Sequence, residues 1–303
     1  MSSSRTAVDV DGRQLSLSNL GKNLYPEFTK GEVIDYYARV APVMLPHLKD
    51  RAATRIRWPD GVDGGKFFEK NAPSHTPGWI RTATVPSPGS TRGRETLDYV
   101  VVDDLPTLVW CANLAALELH VPQWKVGPRG KVHTPDLVVF DLDPGPPATI
   151  VDACKVASLL AGLLGEEHGL DAYPKTSGKK GLHVYVPIEE PKEAERTSRF
   201  AKDIAERLAK EHPDLVVAKM EKRLRKGKIF VDWSQNNPAK TTVAPYSLRA
   251  ASRPSVSTPV TWDEIESCEG AADLAFTPNE VLARVDGHGD LLKPLLDDHR
   301  PLP

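Results

Sequence analysis

Residues 138–145 read Val-Val-Phe-Asp-Leu-Asp-Pro-Gly: three apolar residues run into two aspartates one position apart, and a Pro-Gly breaker follows. The apolar run is that of a buried strand, and the breaker ends it. In a strand, residues i and i+2 point to the same face, so Asp141 and Asp143 stand side by side with α-carbons about 6.5 Å apart. Carboxylates that close repel one another unless a cation or a shared proton lies between them. A strand end with solvated acids leading into a turn satisfies the same pattern. The meaning of the pair therefore rests on what else the chain brings to it.

Periodicity places other elements around that strand. Thr29-Lys-Gly-Glu32 is a capping box and opens an amphipathic helix with Val33, Tyr36, Tyr37 and Val40 on one face. Residues 51–70 read as strand-rich, and Leu105-Pro-Thr opens a helix that should run through Ala116. Strands follow over 137–143, 182–186, 215–218 and 228–233, with helices over 149–168 and 193–210. With a further strand before the glycine loop that precedes 182, the order from 136 to 233 is β-α-β-β-α-β-β, which defines an α/β fold of the split, ferredoxin-like kind, with one open sheet face. The expected layout is one composite domain over 1–303: an N-terminal α/β region to about 130, the split sheet over about 131–250, and a helical packing segment over about 251–303. A Ser/Pro-rich connector over 254–259 opens the last of these.

Composition narrows the setting. The net charge of −2 over 303 residues advertises no global field for nucleic acid, so any anion binding must come from local patches. Cys111, Cys154 and Cys268 are far apart and odd in number, which favours a reducing cytosol over a disulfide framework or a zinc knuckle. No apolar h-region opens the chain and no run of about 18 apolar residues occurs, so a cytoplasmic protein without membrane contact is expected.

Three segments converge on the paired aspartates. In Phe230-Val-Asp-Trp-Ser-Gln-Asn236, Asp232 again ends an apolar strand, and a third carboxylate supplies what a two-cation site needs, since oxygen ligands suit Mg²⁺ or Mn²⁺. Alone, it would read as a capping aspartate. Thr176-Ser-Gly-Lys-Lys-Gly-Leu-His183 sets two glycines, a serine and two lysines between strands, a composition able to form a backbone nest for phosphate oxygens. His183 and Tyr185 then share the polar face of the next strand while Leu182, Val184 and Val186 take the other. The third segment, Lys240-Thr-Thr-Val-Ala-Pro-Tyr-Ser-Leu-Arg249, ends in an arginine able to grip phosphate bidentately. Upstream, residues 219–228 pack six basic side chains into ten positions, Lys222 and Arg225 among them, and feed directly into the Asp232 strand. Such a run is usually a solvated face, but here it should border the acids. Carboxylates for cations, with cationic groups and a glycine loop for phosphates, describe phosphoryl or nucleotidyl transfer.

Asp141-Leu-Asp143, the Ser177-Gly-x-x-Gly-x-His183 run and Asp232 resemble the three motifs of archaeo-eukaryotic primases. VFDLDPG, TSGKKGLHVYVP, VDWSQN and TTVAPYSLR more closely resemble the polymerase domain of bacterial ATP-dependent DNA ligase D, over nearly the whole chain. The resemblance implies a primase-like catalytic sheet fused to an N-terminal α/β region that binds DNA ends. It also implies two divalent ions, Mn²⁺ or Mg²⁺, on Asp141, Asp143 and Asp232, and nucleotide contacts from Ser177, Lys180, His183 and Arg249, with Gln235 and His120 nearby. Phe67 and Phe68 would stack on template and incoming base, flanked by Arg57 and Lys70; the alternative is that one of the pair faces the core, since adjacent strand residues point opposite ways. Lys22 and Lys30 would grip the 5′-phosphate at a gap or break, and Lys30 also opens a helix N-terminus suited to anions. The implied activity is nucleotide addition during non-homologous end joining in the bacterial nucleoid, on gapped or broken DNA, using NTPs or dNTPs with a ribonucleotide preference. Ku and a DNA ligase are the implied partners. The 303 residues hold no ligase or nuclease module, which suits either a domain of a larger enzyme or a stand-alone relative.

Two rival readings exist. VVFDLD also opens the first motif of haloacid-dehalogenase-type phosphatases, but there Gly-Thr normally follows and the motif lies near the N-terminus. A non-catalytic DNA-end-binding scaffold would need Lys22, Lys30 and Phe67 but would have no use for three clustered acids.

Overall fold

The structure, a computed structural model, describes residues 5–87 and 95–303. The chain forms two compact units: Met1–Val132, Val243–Val256 and Thr277–Gly289 make the first, and His133–Thr242, Ser257–Phe276 and Asp290–Pro303 the second.

In the first unit, β1 (Arg5–Val10) and β2 (Arg13–Ser18) form an antiparallel hairpin that buries Leu15 and Leu17. A short pair, β3 (Asn23–Tyr25) and β4 (Phe28–Thr29), leads into α1 (Lys30–Leu48). The capping box forms as the sequence dictates: Glu32 N donates to Thr29 Oγ1 (3.3 Å), and Thr29 N donates to the Glu32 carboxylate (2.7 Å). α1 runs past Pro42 and Pro46 and buries Val33, Tyr36, Tyr37, Val40 and Met44. The main sheet is built on β5 (Ala52–Arg57), which pairs with β6 (Phe67–Glu69); β7 (Thr82–Pro86) and β8 (Thr96–Val101) extend it on one side. α2 (Leu105–Asn113) is capped by Asp104, whose side chain accepts from Thr107 N (2.8 Å). It stops three residues short of Ala116, because Ala115 takes a left-handed φ of 58° that turns the chain into β9 (Ala116–Val121) on the other side of β5.

The second unit holds the expected β-α-β-β-α-β-β order: β10 (Leu137–Pro144), α3 (Ile150–His168), β11 (Tyr173–Thr176), β12 (Leu182–Pro187), α4 (Glu195–Glu211), β13 (Val216–Val217) and β14 (Ile229–Asp232). The sheet order is β11-β12-β10-β14-β13, with β10 in the centre, antiparallel to both neighbours. Period-2 alternation sorts the faces. Val138, Phe140 and Leu142 of β10, Leu182, Val184 and Val186 of β12, and Ile229 and Val231 of β14 pack against α3 and α4 in one core. Val139 and Tyr185 point the other way, covered at one end by Leu292 and Leu295. Asp141, Asp143 and His183 lie further along that second face.

The Pro-Gly that ends β10 has a steric reason. A Cβ on Gly145 would meet Arg225 O at 1.8 Å, so only glycine lets the basic segment close on the strand end.

The remaining segments divide between the units. β15 (Thr242–Val243) joins the β9 edge, where Ala244 N donates to Leu119 O (2.9 Å). β16 (Leu248–Arg249) and β17 (Ser255–Val256) form a small pair in the first unit. The expected connector thus starts as strand and then docks in the second unit: Thr176 N donates to Thr258 O (2.8 Å), and the Lys175 ammonium donates to Ser257 Oγ (2.5 Å). Helices α5 (Trp262–Glu266), α6 (Pro278–His288) and α7 (Pro294–Asp297) follow. Among the described residues, no helix is long and apolar enough to cross a membrane.

Candidate active site

The backbone of the second unit brings the three aspartates together. Asp141 on β10 stands directly opposite Asp232 on β14, and Asp143 lies two residues along β10 on the same face. On the other side of β10, Asp141 is opposite His183, which is opposite Lys175 on β11. A row of Lys175, His183, Asp141 and Asp232 therefore crosses four strands. His183 is buried, but on the acid face rather than in the helix-side core, with Nε2 3.4 Å from Asp141 Oδ1. Gln235 places its amide between the two opposed acids, donating from Nε2 to Asp232 Oδ2 (3.0 Å) and Asp141 Oδ2 (3.4 Å). Asp232 Oδ1 accepts from Ser234 N (3.0 Å) and Ser234 Oγ (2.5 Å), and that hydroxyl in turn accepts from the Lys240 ammonium.

Asp143 keeps contact with solvent at the strand end, yet its pKa is pushed up to about 6. The first cause is desolvation by the surrounding protein, the second the negative charges of Asp141 and Asp232; Arg225 and Lys180 pull the other way. Among the described residues, no group of three or more His, Cys, Asp or Glu side chains closes into a ligand cluster. Gln235, Ser234 and His183 hold carboxylate oxygens that a ligand cluster would need. The donor set nevertheless fits a hard divalent cation: it is all carboxylate oxygen, and its mutual repulsion is what such a charge offsets.

The loop after β11 is tighter than a free nest. Ser177 Oγ accepts from Lys179 N (3.3 Å) and Gly181 N (3.2 Å), so the serine hydroxyl satisfies two of the amides expected to face phosphate. Gly178 takes a φ of 71°, and a Cβ on Gly181 would meet Leu142 O at 2.2 Å, so the loop lies against β10 one residue before Asp143. Lys180 is exposed and its charge reaches Asp143. The basic segment also borders the acids: Gly145 N donates to Lys228 O (2.9 Å), and the Arg225 guanidinium sits 3.6 Å over the Phe230 ring. Lys222 lies in an exposed 3₁₀ turn.

One residue that sequence reasoning passed over fixes this end of the sheet. Below Asp232 the β14 ladder stops, and the buried Asn236 side chain replaces it. Its Oδ1 accepts from Val139 N (2.8 Å) and its Nδ2 donates to Val139 O (2.8 Å) and Trp233 O (2.8 Å). The amide imitates one more strand residue, two positions before Asp141.

The other candidates lie in the first unit. Lys30 N donates to Lys22 O (2.8 Å), so the two lysines are backbone neighbours. Lys22 pairs with Asp60 (2.8 Å). Lys30 opens α1 as expected, but its buried ammonium turns to Ser18, donating to O (2.5 Å) and Oγ (3.0 Å). Burial first, then the charges of Lys22 and Arg57, lower its pKa to about 8. Arg57 pairs with Glu69 (2.6 Å) and donates from Nε to Leu114 O (2.7 Å). Phe67 and Phe68 are both exposed, at 55% and 56%, so neither belongs to the core. β6 is three residues long and, among the described residues, pairs with β5 alone, while its two phenylalanines, on opposite faces of the strand, are both exposed. Burial lowers the pKa of the half-buried Lys70.

His120 on β9 and Arg249 on β16 meet at a residue not singled out in the sequence. Glu118, buried at 3% side-chain exposure, has Oε2 2.9 Å from His120 Nε2 and Oε1 3.5 Å from Arg249 Nε, and accepts from Ala250 N (3.0 Å). The available signal was its place two residues before His120, hence on the same strand face.

Residues 29–292 match the family model described as LigD, primase-polymerase domain. The chain is 45% identical over 286 residues to the multifunctional non-homologous end joining protein LigD of Mycolicibacterium smegmatis, covering 93% of this chain and 36% of that protein. It is 32% identical to the bifunctional non-homologous end joining protein LigD of Bacillus subtilis, covering 91% and 43%. A solved structure, the polymerase domain from Mycobacterium tuberculosis Ligase D in complex with DNA, matches with a TM-score of 0.87 at 43% identity, over 94% of this chain and 99% of that one. Fold and match define the class, a DNA/RNA nucleotidyltransferase of the primase-polymerase type, and the phosphatase reading falls. The chain belongs to the LigD primase-polymerase domain family, and it spans less than half the length of these two curated relatives.

Proposed function

We propose that this chain adds nucleotides to DNA ends and fills gaps during double-strand break repair by non-homologous end joining. The observation that carries the reading is the register of β10 and β14, which sets Asp141 against Asp232 with Asp143 beside them. Asp141, Asp143 and Asp232 would hold two divalent ions, Mn²⁺ or Mg²⁺, which would supply charge stabilisation at the phosphoryl oxygens and acidify the attacking hydroxyl.

The chemistry is an in-line displacement. The primer 3′-oxygen bonds to the α-phosphorus of an incoming nucleoside triphosphate, the bond to the bridging oxygen breaks, and pyrophosphate leaves; the hydroxyl proton passes to solvent. Ser177, Lys180 and His183 hold the nucleotide, His120 and Arg249 contribute to the same task, and Gln235 orients the carboxylates through its two hydrogen bonds. Phe67 and Phe68 offer exposed rings for stacking on template and incoming base. Arg57, Lys70, Lys222 and Arg225 supply cations for the DNA backbone, and Lys22 with Lys30 receives a terminal 5′-phosphate. In this reading the first unit binds the DNA end and the second unit is the catalytic palm. Ku and a DNA ligase are the partners such a reaction requires before and after nucleotide addition, and the working place is the bacterial nucleoid.

The test is primer extension on a gapped, 5′-phosphorylated duplex, comparing ribonucleotides with deoxyribonucleotides under Mn²⁺ and Mg²⁺. Extension with release of pyrophosphate, faster with ribonucleotides, is expected. Absence of extension with every metal and nucleotide would overturn the reading. Equal use of both sugars would remove the 2′-hydroxyl contact expected from Ser177, Gln235 or His120.

A further inference from the structure

We propose that Glu118 is a positioning residue for the nucleotide, holding His120 and Arg249 in the orientation in which they meet it. The inference rests on the reading of those two side chains as nucleotide-binding.

Glu118 and His120 are i and i+2 on β9, so both project from one face of the strand. Arg249 comes from β16, more than a hundred residues later in the chain. One carboxylate serves both. Its Oε2 faces His120 Nε2 at 2.9 Å, and its Oε1 faces Arg249 Nε at 3.5 Å while accepting from Ala250 N at 3.0 Å. A carboxylate at 3% exposure is costly unless paired, and two of these three partners are side chains assigned to the nucleotide.

The geometry suits a holder rather than a competitor. The Arg249 contact is an ion pair through Nε, longer than a hydrogen bond, so the carboxylate anchors the guanidinium by charge at the Nε end of a planar group whose fork suits phosphate. A histidine whose Nε2 faces a fixed carboxylate has its ring plane set in advance. The backbone of β16 is held as well: Tyr25 donates its hydroxyl to Arg249 O (3.0 Å), and Ala250 N is tied to Glu118 itself. The carboxylate thus removes rotamer freedom that the two side chains would otherwise lose on binding.

The test uses Glu118→Gln, which keeps the shape and removes the charge, alongside His120→Ala, Arg249→Ala and their combinations. Nucleotide Kd is read with a fluorescent non-hydrolysable ribonucleoside triphosphate, DNA Kd with a gapped duplex, and KM and kcat from primer extension. The expected result is an increase of about tenfold in nucleotide Kd and KM, with kcat changed far less and DNA Kd unchanged. In the His120→Ala/Arg249→Ala background, Glu118→Gln should add nothing further, because its effect acts through those side chains. An unchanged nucleotide Kd, or a full additive loss in that background, overturns the proposal. So does normal nucleotide binding by the His120→Ala/Arg249→Ala protein. Failure of the polymerase reading is separate, since the parent protein would then not extend primers at all. If Glu118→Gln loses its fold, Glu118→Asp decides: the shorter carboxylate should weaken nucleotide binding while sparing DNA binding, and an unchanged nucleotide Kd overturns the proposal.

Discussion

Asp141 and Asp232 occupy opposed positions on adjacent antiparallel strands, and the Gln235 amide bridges their carboxylates. The sheet itself, not a loop, sets the spacing of the acids. Replacing Asp141, Asp143 or Asp232 by alanine should reduce primer extension to background while DNA affinity stays within about twofold, because in the proposed reading the acids hold cations and do not touch the duplex. Extension assays paired with DNA-binding titrations check this, and substantial extension by the Asp232 variant would sink the assignment.

Asp143 should cost stability at neutral pH. Its folded-state pKa of about 6 lies above its ordinary value. The group's contribution is therefore fully present below the ordinary carboxylate range and is lost as pH rises through about 6. In chelator, Asp143→Asn should melt higher than the parent at pH 7.5, and the gain should disappear near pH 4. Excess Mn²⁺ should reverse the order at pH 7.5 by stabilising only the parent. Thermal melts across pH decide, and a variant no more stable than the parent in chelator would refute the charge-crowding account.

Recognition of a 5′-phosphate should weaken on the alkaline side. With its pKa lowered to about 8, Lys30 loses its charge through the range in which DNA and the phosphate stay ionised. The ratio of affinities for 5′-phosphorylated and 5′-hydroxyl gapped DNA should therefore fall between pH 7 and pH 9. Changing Lys22 and Lys30 together to alanine should abolish the ratio at both pH values and leave simple primer-templates extended normally. A ratio independent of pH, or one that survives in the double variant, would move the end-recognition site elsewhere.

Asn236→Ala should destabilise the fold by roughly 2–3 kcal/mol, since it leaves the buried Val139 N–H and C=O without their partners. Because the clamp sits two residues before Asp141, primer extension should fall at temperatures where the variant is still folded. Denaturant unfolding gives the first quantity and extension at low temperature the second; a variant with parental stability would show that water replaces the amide at no cost.

The order of elements in the second unit was legible because strict alternation in 182–186 and continuous apolar runs in 137–140 leave few other structures. The opposition of Asp141 and Asp232 was not: two strand-end acids suggest proximity, but register depends on the Gly145 turn and the Asn236 clamp, which only the folded backbone reveals. Lys30 shows another limit. A capping box announces the helix N-terminus, yet the lysine at its first position bends back to Ser18, and sequence spacing cannot supply that turn. Glu118 was hidden by its setting in Leu-Glu-Leu-His, where alternation reads as a half-solvated strand although the carboxylate is buried. The end of α2 escaped because Ala115, a good helix former, takes a left-handed conformation.

The chain passes between its two units after residues 132, 242, 256, 276 and 289. On a ribosome, that threading imposes a schedule. The hydroxyl of Tyr36 in α1 finds its acceptor at Tyr246 O, and that of Tyr37 receives Leu248 N, so groups made among the first forty residues wait for partners more than two hundred positions later. Neither unit can be finished and set aside while the other is translated, so both must settle only as the last third of the polypeptide emerges.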